Sequence, residues 1–238
     1  MKEQILQTGS YSIIKKALPE KNILMLREIS NRLTSNKSRP IYIARERTMG
    51  ENMVERYRSA GLKTLLNKAR PLIRAILGQR WLILTNKVIL RRTWPMSEKE
   101  ARELGHNASN LTWHQDSNQM HGNRPMVVMM VCLQDGAGLT RPGLSILDSS
   151  TNKFEGVFGY EGSRVHEFEQ SVLKQQGNFK KVTPIMNSGD LLIFNGLTFH
   201  RTFSQESMEY HRDALLIRLI KPEDAQNFPK SDHIVVQG

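Results

Sequence analysis

Two histidines and one aspartate carry the clearest chemical signal in this chain of 238 residues. His114 and Asp116 stand two residues apart in the segment Leu-Thr-Trp-His-Gln-Asp-Ser, and on an extended strand that spacing turns both side chains to the same side. His200 follows much later, after an apolar segment. Two imidazoles and one carboxylate on one side of a transition-metal ion would leave its opposite side open to other ligands.

Either half of this pattern is weak evidence alone, because most histidines are ordinary polar groups with local partners. The surroundings of the second half strengthen it. Residues 187–190, Asn-Ser-Gly-Asp, are typical of a turn and lead into the apolar run 191–194, which predicts a strand. Thr198, His200 and Thr202 then share one face of the next extended segment. The combination is typical of the facial triad that binds Fe(II) and leaves positions for a cosubstrate and oxygen.

Two arginines follow in a third segment. Residues 204–210 are polar and long enough to close a hairpin, and residues 212–220 predict a strand that returns beside His200. Arg212 and Arg218 are six residues apart, so they face the same side of that strand. A guanidinium can grip a carboxylate through two parallel hydrogen bonds, which suits a dicarboxylic cosubstrate.

Together these segments resemble the phytanoyl-CoA dioxygenase family of Fe(II)/2-oxoglutarate-dependent oxygenases, over roughly residues 80 to 220. The resemblance implies that His114, Asp116 and His200 bind the iron. It also implies that Arg212 binds the distal carboxylate of 2-oxoglutarate and that the Thr202 hydroxyl supports the same carboxylate. Arg218 is the other candidate for binding the distal carboxylate of 2-oxoglutarate. Its alternative role is that of a strand arginine paired with an acidic neighbour or with solvent.

The same resemblance implies Fe(II), 2-oxoglutarate and O2 as cofactor and cosubstrates, with ascorbate helpful in vitro. The expected reaction is hydroxylation, or another oxidation, of a small molecule with release of succinate and CO2. Because halogenases of this superfamily carry a small residue where Asp116 stands, the aspartate favours hydroxylation; desaturation and ring formation stay open. Asn118 and His121 follow the first motif, and Arg91 and Arg92 lie on a neighbouring predicted strand. They are candidates to line the substrate pocket, where an arginine would suit an anionic substrate; the alternative is that each is a surface or structural polar group.

The predicted fold is mainly β with flanking helices, a double-stranded β-helix (a jelly-roll, cupin-like barrel) with N-terminal helices packed on it. We expect a single Fe(II)/2-oxoglutarate dioxygenase domain over residues 1–238, with a helical front at 1–80, a barrel core at 81–220 and a candidate lid at 150–180. Apolar spacing predicts helices at 20–33, 50–59 and 61–77 and strands at 81–84 and 88–90. Pro71 is expected to begin a new helix, which Gly78 ends.

Composition narrows the function classes. The net charge of +11 would suit an acidic partner, but the lysines and arginines are spread along the chain and aromatic residues make up only 7%. A solvated basic surface is therefore favoured over nucleic-acid binding. No apolar run is long enough to predict a membrane span, and the N-terminal residues do not read as a secretory signal.

Cys132 is the single cysteine of the sequence, so an internal disulfide is excluded and a reducing, cytoplasmic location is expected. Its apolar neighbours favour a small buried side chain over a nucleophile. The competing function is a non-catalytic metal-binding or nucleic-acid-binding barrel. The sequence makes no prediction of the oligomeric state.

Overall fold

The computed structural model describes residues 5–7, 11–34, 41–44, 61–97, 113–117, 124–148, 180–228 and 233–236. Two helices are described, α1 (Glu20–Thr34) and α2 (Lys63–Leu77). Short 3₁₀ turns cover Thr85–Lys87 and Pro222–Asn227. The strands are β1 (Ile5–Gln7), β2 (Tyr11–Ile14), β3 (Ile41–Ala44), β4 (Trp81–Leu84), β5 (Ile89–Thr93), β6 (Val127–Cys132), β7 (Gly143–Asp148), β8 (Lys180–Val182), β9 (Leu191–Asn195), β10 (His200–Phe203), β11 (Arg212–Ile220) and β12 (His233–Val236).

Nine of these strands form one antiparallel sheet around the long strand β11. The strand order is β1-β2-β9-β6-β11-β4-β12, and β5 pairs with the other half of the same edge of β11 and with β3. The remaining strands form a smaller antiparallel sheet in the order β10-β7-β8. His200, at the start of β10, therefore belongs to the small sheet, whereas Arg212 and Arg218 belong to the large one.

Side chains of the large sheet alternate between two apolar clusters, because successive residues of a strand point to opposite faces. In β11, Leu215, Ile217 and Leu219 join the cluster that includes α1 and α2. Ala214 and Leu216 join the opposite cluster, which includes Leu144 and Ile146 of the small sheet. The helices thus cover one face of the large sheet, and the small sheet packs against the other. β11 is buried on both faces, which explains its nearly continuous apolar sequence.

The predicted helix at 20–33 and the predicted strand at 81–84 are confirmed as α1 and β4. The prediction that Pro71 begins a new helix is wrong, because Pro71 lies inside α2. A proline removes one backbone hydrogen bond from a helix interior. The buried side chains of α2 continue on both sides of Pro71, so packing against the sheet holds the helix together across it; they are Leu65, Leu66, Ala69, Ile73 and Leu77.

Gly78 ends α2 as predicted, with a positive φ of 87° and its N–H donated to the Arg74 carbonyl. The predicted helix at 50–59 and the candidate lid at 150–180 lie outside the described residues, apart from Lys180, which begins β8. Within residues 1–80 the chain is not only helical, since β1, β2 and β3 join the large sheet.

The predicted return of β11 beside His200 is also wrong. β10 pairs with β7, whereas β11 pairs with β4, β5 and β6 in the other sheet. The polar segment 204–210 therefore carries the chain from one sheet to the other, and the two strands meet face to face across the interior. Within the described part of the chain, neither helix is long and apolar enough to cross a membrane.

Candidate functional site

The two halves of the His-Asp-His pattern meet through an isolated antiparallel β-bridge. The His114 N–H donates to the His200 carbonyl at 2.9 Å, and the His200 N–H donates to the His114 carbonyl at 3.0 Å. After His114 the backbone leaves the extended form, and Asp116 lies in a short helical turn rather than on a strand. The turn still directs Asp116 towards both histidines. The two-residue spacing of His114 and Asp116 on an extended strand is therefore only part of the reason that the three groups converge.

The three side chains are buried and form a group that could hold one metal ion. One candidate ligand atom from each residue lies within 4.8 Å of the others. Asp116 Oδ1 is 3.6 Å from His114 Nε2 and 3.8 Å from His200 Nε2. Two imidazole nitrogens and one carboxylate oxygen suit a divalent transition metal and leave its remaining positions to other ligands.

The His200 ring is fixed by its own backbone environment. Its Nδ1 lies 2.9 Å from the Thr198 carbonyl oxygen, which can only accept, so Nδ1 carries the proton and Nε2 presents a lone pair. Burial lowers the pKa of His200, and the nearby positive charges of Arg218 and Arg91 add to that effect. The neutral ring required of a metal ligand is therefore the favoured form.

Arg218 holds the Asp116 carboxylate from the opposite side. Its Nε and one terminal nitrogen both lie 2.8 Å from the same oxygen, Oδ2. Burial alone would raise the pKa of Asp116, but its surroundings, the charge and hydrogen bond of Arg218 foremost, outweigh burial and hold that pKa well below its ordinary value. Asp116 is thus an ionised carboxylate with Oδ2 engaged by Arg218 and Oδ1 facing the histidines.

Arg212 is a buried charge without a charged partner among the described residues. The residue is 1% exposed, yet within the described part of the chain it has only two hydrogen bonds, to the Gly143 carbonyl oxygen at 2.7 Å and to Thr93 Oγ1 at 3.4 Å. Its Nε is buried and has no hydrogen-bond partner in the described structure. Burial lowers the pKa of this guanidinium, because a buried charge is unfavourable. An anion bound there would offset part of the free energy that burying this charge costs.

One pocket between the two sheets contains all of these groups. Its empty volume is about 370 Å³, including space open to solvent. The six residues assigned to metal and cosubstrate from the sequence all line it: His114, Asp116, His200, Thr202, Arg212 and Arg218. Among the described residues, the rest of the lining is apolar except for Arg91; the apolar members are Val128, Met130, Leu144, Phe194 and Leu216.

The substrate-pocket candidates divide because strand side chains alternate. Arg91 lines the pocket, whereas Arg92 points to the other face of β5, where it pairs with Asp213 at 2.8 Å and donates to Asn31 of α1. Asn118 and His121 lie outside the described residues. Of the four, only Arg91 can be placed beside the metal-binding group.

Some supporting contacts were not foreseen from the sequence. The Thr198 carbonyl fixes the His200 ring, and the Phe194 ring packs against that imidazole with a centroid separation of 4.7 Å. Gln115 donates from its side chain to the Leu197 carbonyl and so ties the first motif to the second. The carbonyl of Thr198 is a backbone group, so the residue type does not predict its contact with His200. The neighbouring polar pattern, Thr198-x-His200, was the only available hint.

No protein-family model and no curated protein matches the chain. Solved structures, in contrast, are similar in fold. The non-heme α-ketoglutarate-dependent epimerase SnoN from nogalamycin biosynthesis is 14% identical, with a TM-score of 0.61 over 89% of this chain and 78% of that one. HygX from Streptomyces hygroscopicus, solved with nickel and 2-oxoglutarate bound, is 16% identical, with a TM-score of 0.59 over 90% of this chain and 83% of that one.

EctD from S. alaskensis, solved with 2-oxoglutarate and 5-hydroxyectoine, is 13% identical, with a TM-score of 0.61 over 90% of this chain and 73% of that one. At these identities the likeness establishes the fold. The mainly β, jelly-roll architecture predicted from the sequence is therefore confirmed, with two facing sheets and helices on one outer face. The structural neighbours named above depend on or bind 2-oxoglutarate, and this chain carries a His-Asp-His group in its own pocket.

Proposed function

We propose that this protein is an Fe(II)/2-oxoglutarate-dependent oxygenase that hydroxylates a small molecule and releases succinate and CO2. The observation that carries the proposal is that a buried His-Asp-His group shares one pocket with Arg212, a fully buried cation without a counter-ion among the described residues. A metal site and a separate anion site within one small pocket match a cosubstrate that chelates a metal at one end and carries a carboxylate at the other. The likeness to SnoN, HygX and EctD supports the same assignment.

In this proposal Fe(II) would be held by Nε2 of His114, Nε2 of His200 and Oδ1 of Asp116. Bound there, the iron would supply the oxidative chemistry with O2 and 2-oxoglutarate. Thr198 holds the His200 proton on Nδ1, and Arg218 holds the second oxygen of Asp116. These contacts orient the ligand atoms before the metal arrives.

Arg212 is the proposed anchor for the distal carboxylate of 2-oxoglutarate. Arg218 is committed to Asp116, whereas the Arg212 Nε is buried with no partner in the described structure. Thr202 lies opposite Leu144 in the register of β10 and β7, one residue from the Gly143 carbonyl that Arg212 contacts. Its hydroxyl is therefore proposed to support the same carboxylate. The apolar lining between the two ends excludes water from the aliphatic part of the cosubstrate.

We further propose that the chain belongs with the phytanoyl-CoA dioxygenase family, as a single domain whose barrel core spans residues 81–220. The support is the combination of His114-Gln-Asp116, the Gly-Asp lead-in to His200 and an arginine twelve residues after that histidine. A cytoplasmic location is part of the proposal, since Fe(II) requires reducing conditions and the single thiol is buried. Asp116 as a ligand favours hydroxylation over halogenation.

Anaerobic titration tests the proposal. Addition of Fe(II) and 2-oxoglutarate to the protein should produce a visible metal-to-ligand charge-transfer band, and the His200→Ala variant should produce none. With O2, the parent should convert 2-oxoglutarate to succinate, and a pool of metabolites should yield one that gains oxygen. If the parent binds Fe(II) but shows no band with 2-oxoglutarate, the protein is a non-catalytic metal-binding barrel. If it binds neither, the metal assignment itself is wrong.

A further inference from the structure

The geometry of the Arg218–Asp116 pair is asymmetric, and that asymmetry has a consequence for metal binding. A guanidinium facing a carboxylate usually places one nitrogen on each oxygen. Here both contacting nitrogens of Arg218 lie 2.8 Å from Oδ2, while Oδ1 faces the two histidine Nε2 atoms at 3.6 and 3.8 Å. The two carboxylate oxygens are thereby separated into one that binds the arginine and one that is available to a metal.

A carboxylate can bind a metal through one oxygen or through both. Binding through both would occupy a position that a chelating cosubstrate needs. Arg218 opposes that mode because Oδ2 would have to leave a charge-assisted hydrogen bond from Nε and an ion-pair contact with a terminal nitrogen, in a buried site where such interactions are strong. Arg218 is 6% exposed, so water cannot readily replace these two contacts.

The same pair sets the charge of the site. With neutral histidines, the group of His114, His200, Asp116 and Arg218 has no net charge, because the arginine offsets the one anionic ligand. A divalent cation would therefore bring two uncompensated positive charges into a pocket that Arg212 already makes positive. A dianion such as 2-oxoglutarate would offset them. Each ligand should then strengthen the binding of the other, since coupling between two sites is reciprocal.

We propose that Arg218 is a positioning residue that restricts Asp116 to one metal-binding oxygen and offsets its charge, so that the site binds a divalent metal weakly alone and tightly together with a dianionic α-keto acid. The inference deepens the proposed function and, in its second half, rests on it. Arg218 touches neither cosubstrate nor substrate in this assignment; it acts through Asp116.

The test is a titration with Co²⁺, whose visible spectrum reports both affinity and coordination number, in the presence and absence of 2-oxoglutarate. In Arg218→Met the freed carboxylate can bind through both oxygens with its full charge. Co²⁺ alone should then bind about tenfold more tightly, a change expected for one charge near a buried ion. The affinity of the Co²⁺-loaded protein for 2-oxoglutarate should fall about tenfold or more. A merely structural role cannot produce these opposite changes, because a damaged site weakens both.

Two further Arg218 variants keep the test decisive. Arg218→Gln removes the charge but retains an N–H donor for Oδ2, so it should also tighten Co²⁺ binding and serves if the methionine variant does not fold. Arg218→Lys retains the charge and should return the Co²⁺ affinity to within about threefold of the parent.

The matched control is Arg124→Met, which breaks another arginine–aspartate pair, with Asp224 at 2.7 Å, away from the pocket. It should leave both affinities unchanged. Weaker or unchanged Co²⁺ binding in folded Arg218→Met and Arg218→Gln would overturn the inference. If the parent with Co²⁺ does not bind 2-oxoglutarate, the proposed function fails, yet the Co²⁺ titrations alone still decide whether Arg218 restrains Asp116.

Discussion

Three of the described arginines line the pocket, and each makes different contacts with its neighbours. Arg218 is committed to the Asp116 carboxylate, and Arg212 contacts only a backbone carbonyl and a threonine hydroxyl. Arg91 is buried near enough to His200 for its charge to lower the pKa of that imidazole. Residues of one type within one pocket can thus have different roles, which only their contacts reveal.

Replacement of Arg212 should affect the cosubstrate and spare the metal. In Arg212→Met, the affinity of the metal-loaded protein for 2-oxoglutarate should fall about 100-fold, the loss expected when one member of a buried charge pair is removed. The affinity for Co²⁺ alone should not weaken, and thermal unfolding without ligands should change little, because the lost charge has no ion-pair partner among the described residues. Calorimetric titration of the parent and the variant measures both affinities. A variant that binds 2-oxoglutarate like the parent would show that another residue is the anchor.

The turn after β9 supports the first motif at close range. The Ser117 N–H donates to the Gly196 carbonyl at 3.0 Å, and the Gly196 N–H donates to the Met126 carbonyl. A Cβ at position 196 would overlap Ser117 Oγ and approach Met126 Cβ to 3.0 Å. The glycine is required here by close approach and not by its backbone angles. The turn therefore fixes the position of the segment that carries His114 and Asp116.

A methyl group at this turn should disturb the metal site from a distance. Gly196→Ala should cost about 1–3 kcal/mol of unfolding free energy, as overpacking of a buried site does, and should weaken Co²⁺ binding. The double variant Gly196→Ala with Ser117→Ala removes the overlapping oxygen and should recover part of both losses. Urea unfolding and Co²⁺ titration of the parent and both variants provide the measurement. Equal losses in the single and double variants would exclude the contact with Ser117 as the cause.

Asp213 lies on the outer, helix-covered face of the large sheet, where it connects β11 to β5 and to the end of β6. It accepts hydrogen bonds from Arg92 at 2.8 Å and from Gln134 at 2.9 Å, and its side chain is 2% exposed. Burial alone would raise its pKa, but the hydrogen bonds from Arg92 and His211 outweigh burial and hold the pKa well below its ordinary value.

Asp213 should therefore make stability depend on acidity. Since its pKa is lower in the folded than in the unfolded state, its contribution is complete above the unfolded value, about 4, and is lost as the pH falls below it. Asp213→Asn should cost about 3–5 kcal/mol at pH 7, because Arg92 is left buried without its anion. Urea unfolding should show the same gap between parent and variant at pH 7 and pH 5 and a smaller gap at pH 3, because the contribution is lost progressively between the unfolded and the folded pKa. A gap independent of pH would contradict this role.

The sequence predicted individual elements better than their partners. The apolar run 212–220 was enough to predict β11, and the Gly-Asp turn was enough to predict β9, because both signals are local. The predicted pairing of β11 was wrong. Consecutive strands can either close a hairpin or cross to a facing sheet, and the loop sequence does not distinguish these outcomes. Pro71 misled for a similar reason: tertiary packing of α2 overrides a local break.

In the candidate site, too, the sequence predicted individual residues better than their contacts. Residue types and spacing selected His114, Asp116, His200 and the two arginines Arg212 and Arg218, all of which line the pocket, and the family resemblance favoured Arg212 as the anchor. The partner of Arg218 could not be identified, because Asp116 is 102 residues away along the chain and many acidic residues were equally eligible. The alternative of an acidic partner described Arg218 correctly, but only the fold identifies which acid it is.

At the scale of the whole molecule, the positive charge of +11 requires an interpretation. In the part of the chain that the structure describes, three arginines lie in the pocket and one more, Arg92, is paired on the outer face of the large sheet. All four side chains are buried, so they are not part of the basic surface. The remaining lysines and arginines are spread along the sequence without a dense tract, which favours a solvated surface over a nucleic-acid groove.

Binding to nucleic acid should accordingly be weak and sensitive to salt. Fluorescence anisotropy with a labelled single-stranded oligonucleotide should show, at low salt, an affinity no tighter than about 1 μM, which disappears near physiological ionic strength as counterion-driven contacts do. Submicromolar binding that persists in physiological salt would favour the nucleic-acid alternative over a metabolite substrate.

Strand β2 has a consequence for how the chain can be shortened. β9, which leads to His200, is flanked by β6 on one side and by β2 on the other. Its apolar run 191–194 is buried, and without residues 11–14 it would become an unprotected sheet edge with unpaired amide groups. Such an edge invites pairing between molecules. A version trimmed to the barrel core at residue 81 would therefore be prone to aggregate, even though every proposed ligand of the metal would still be present.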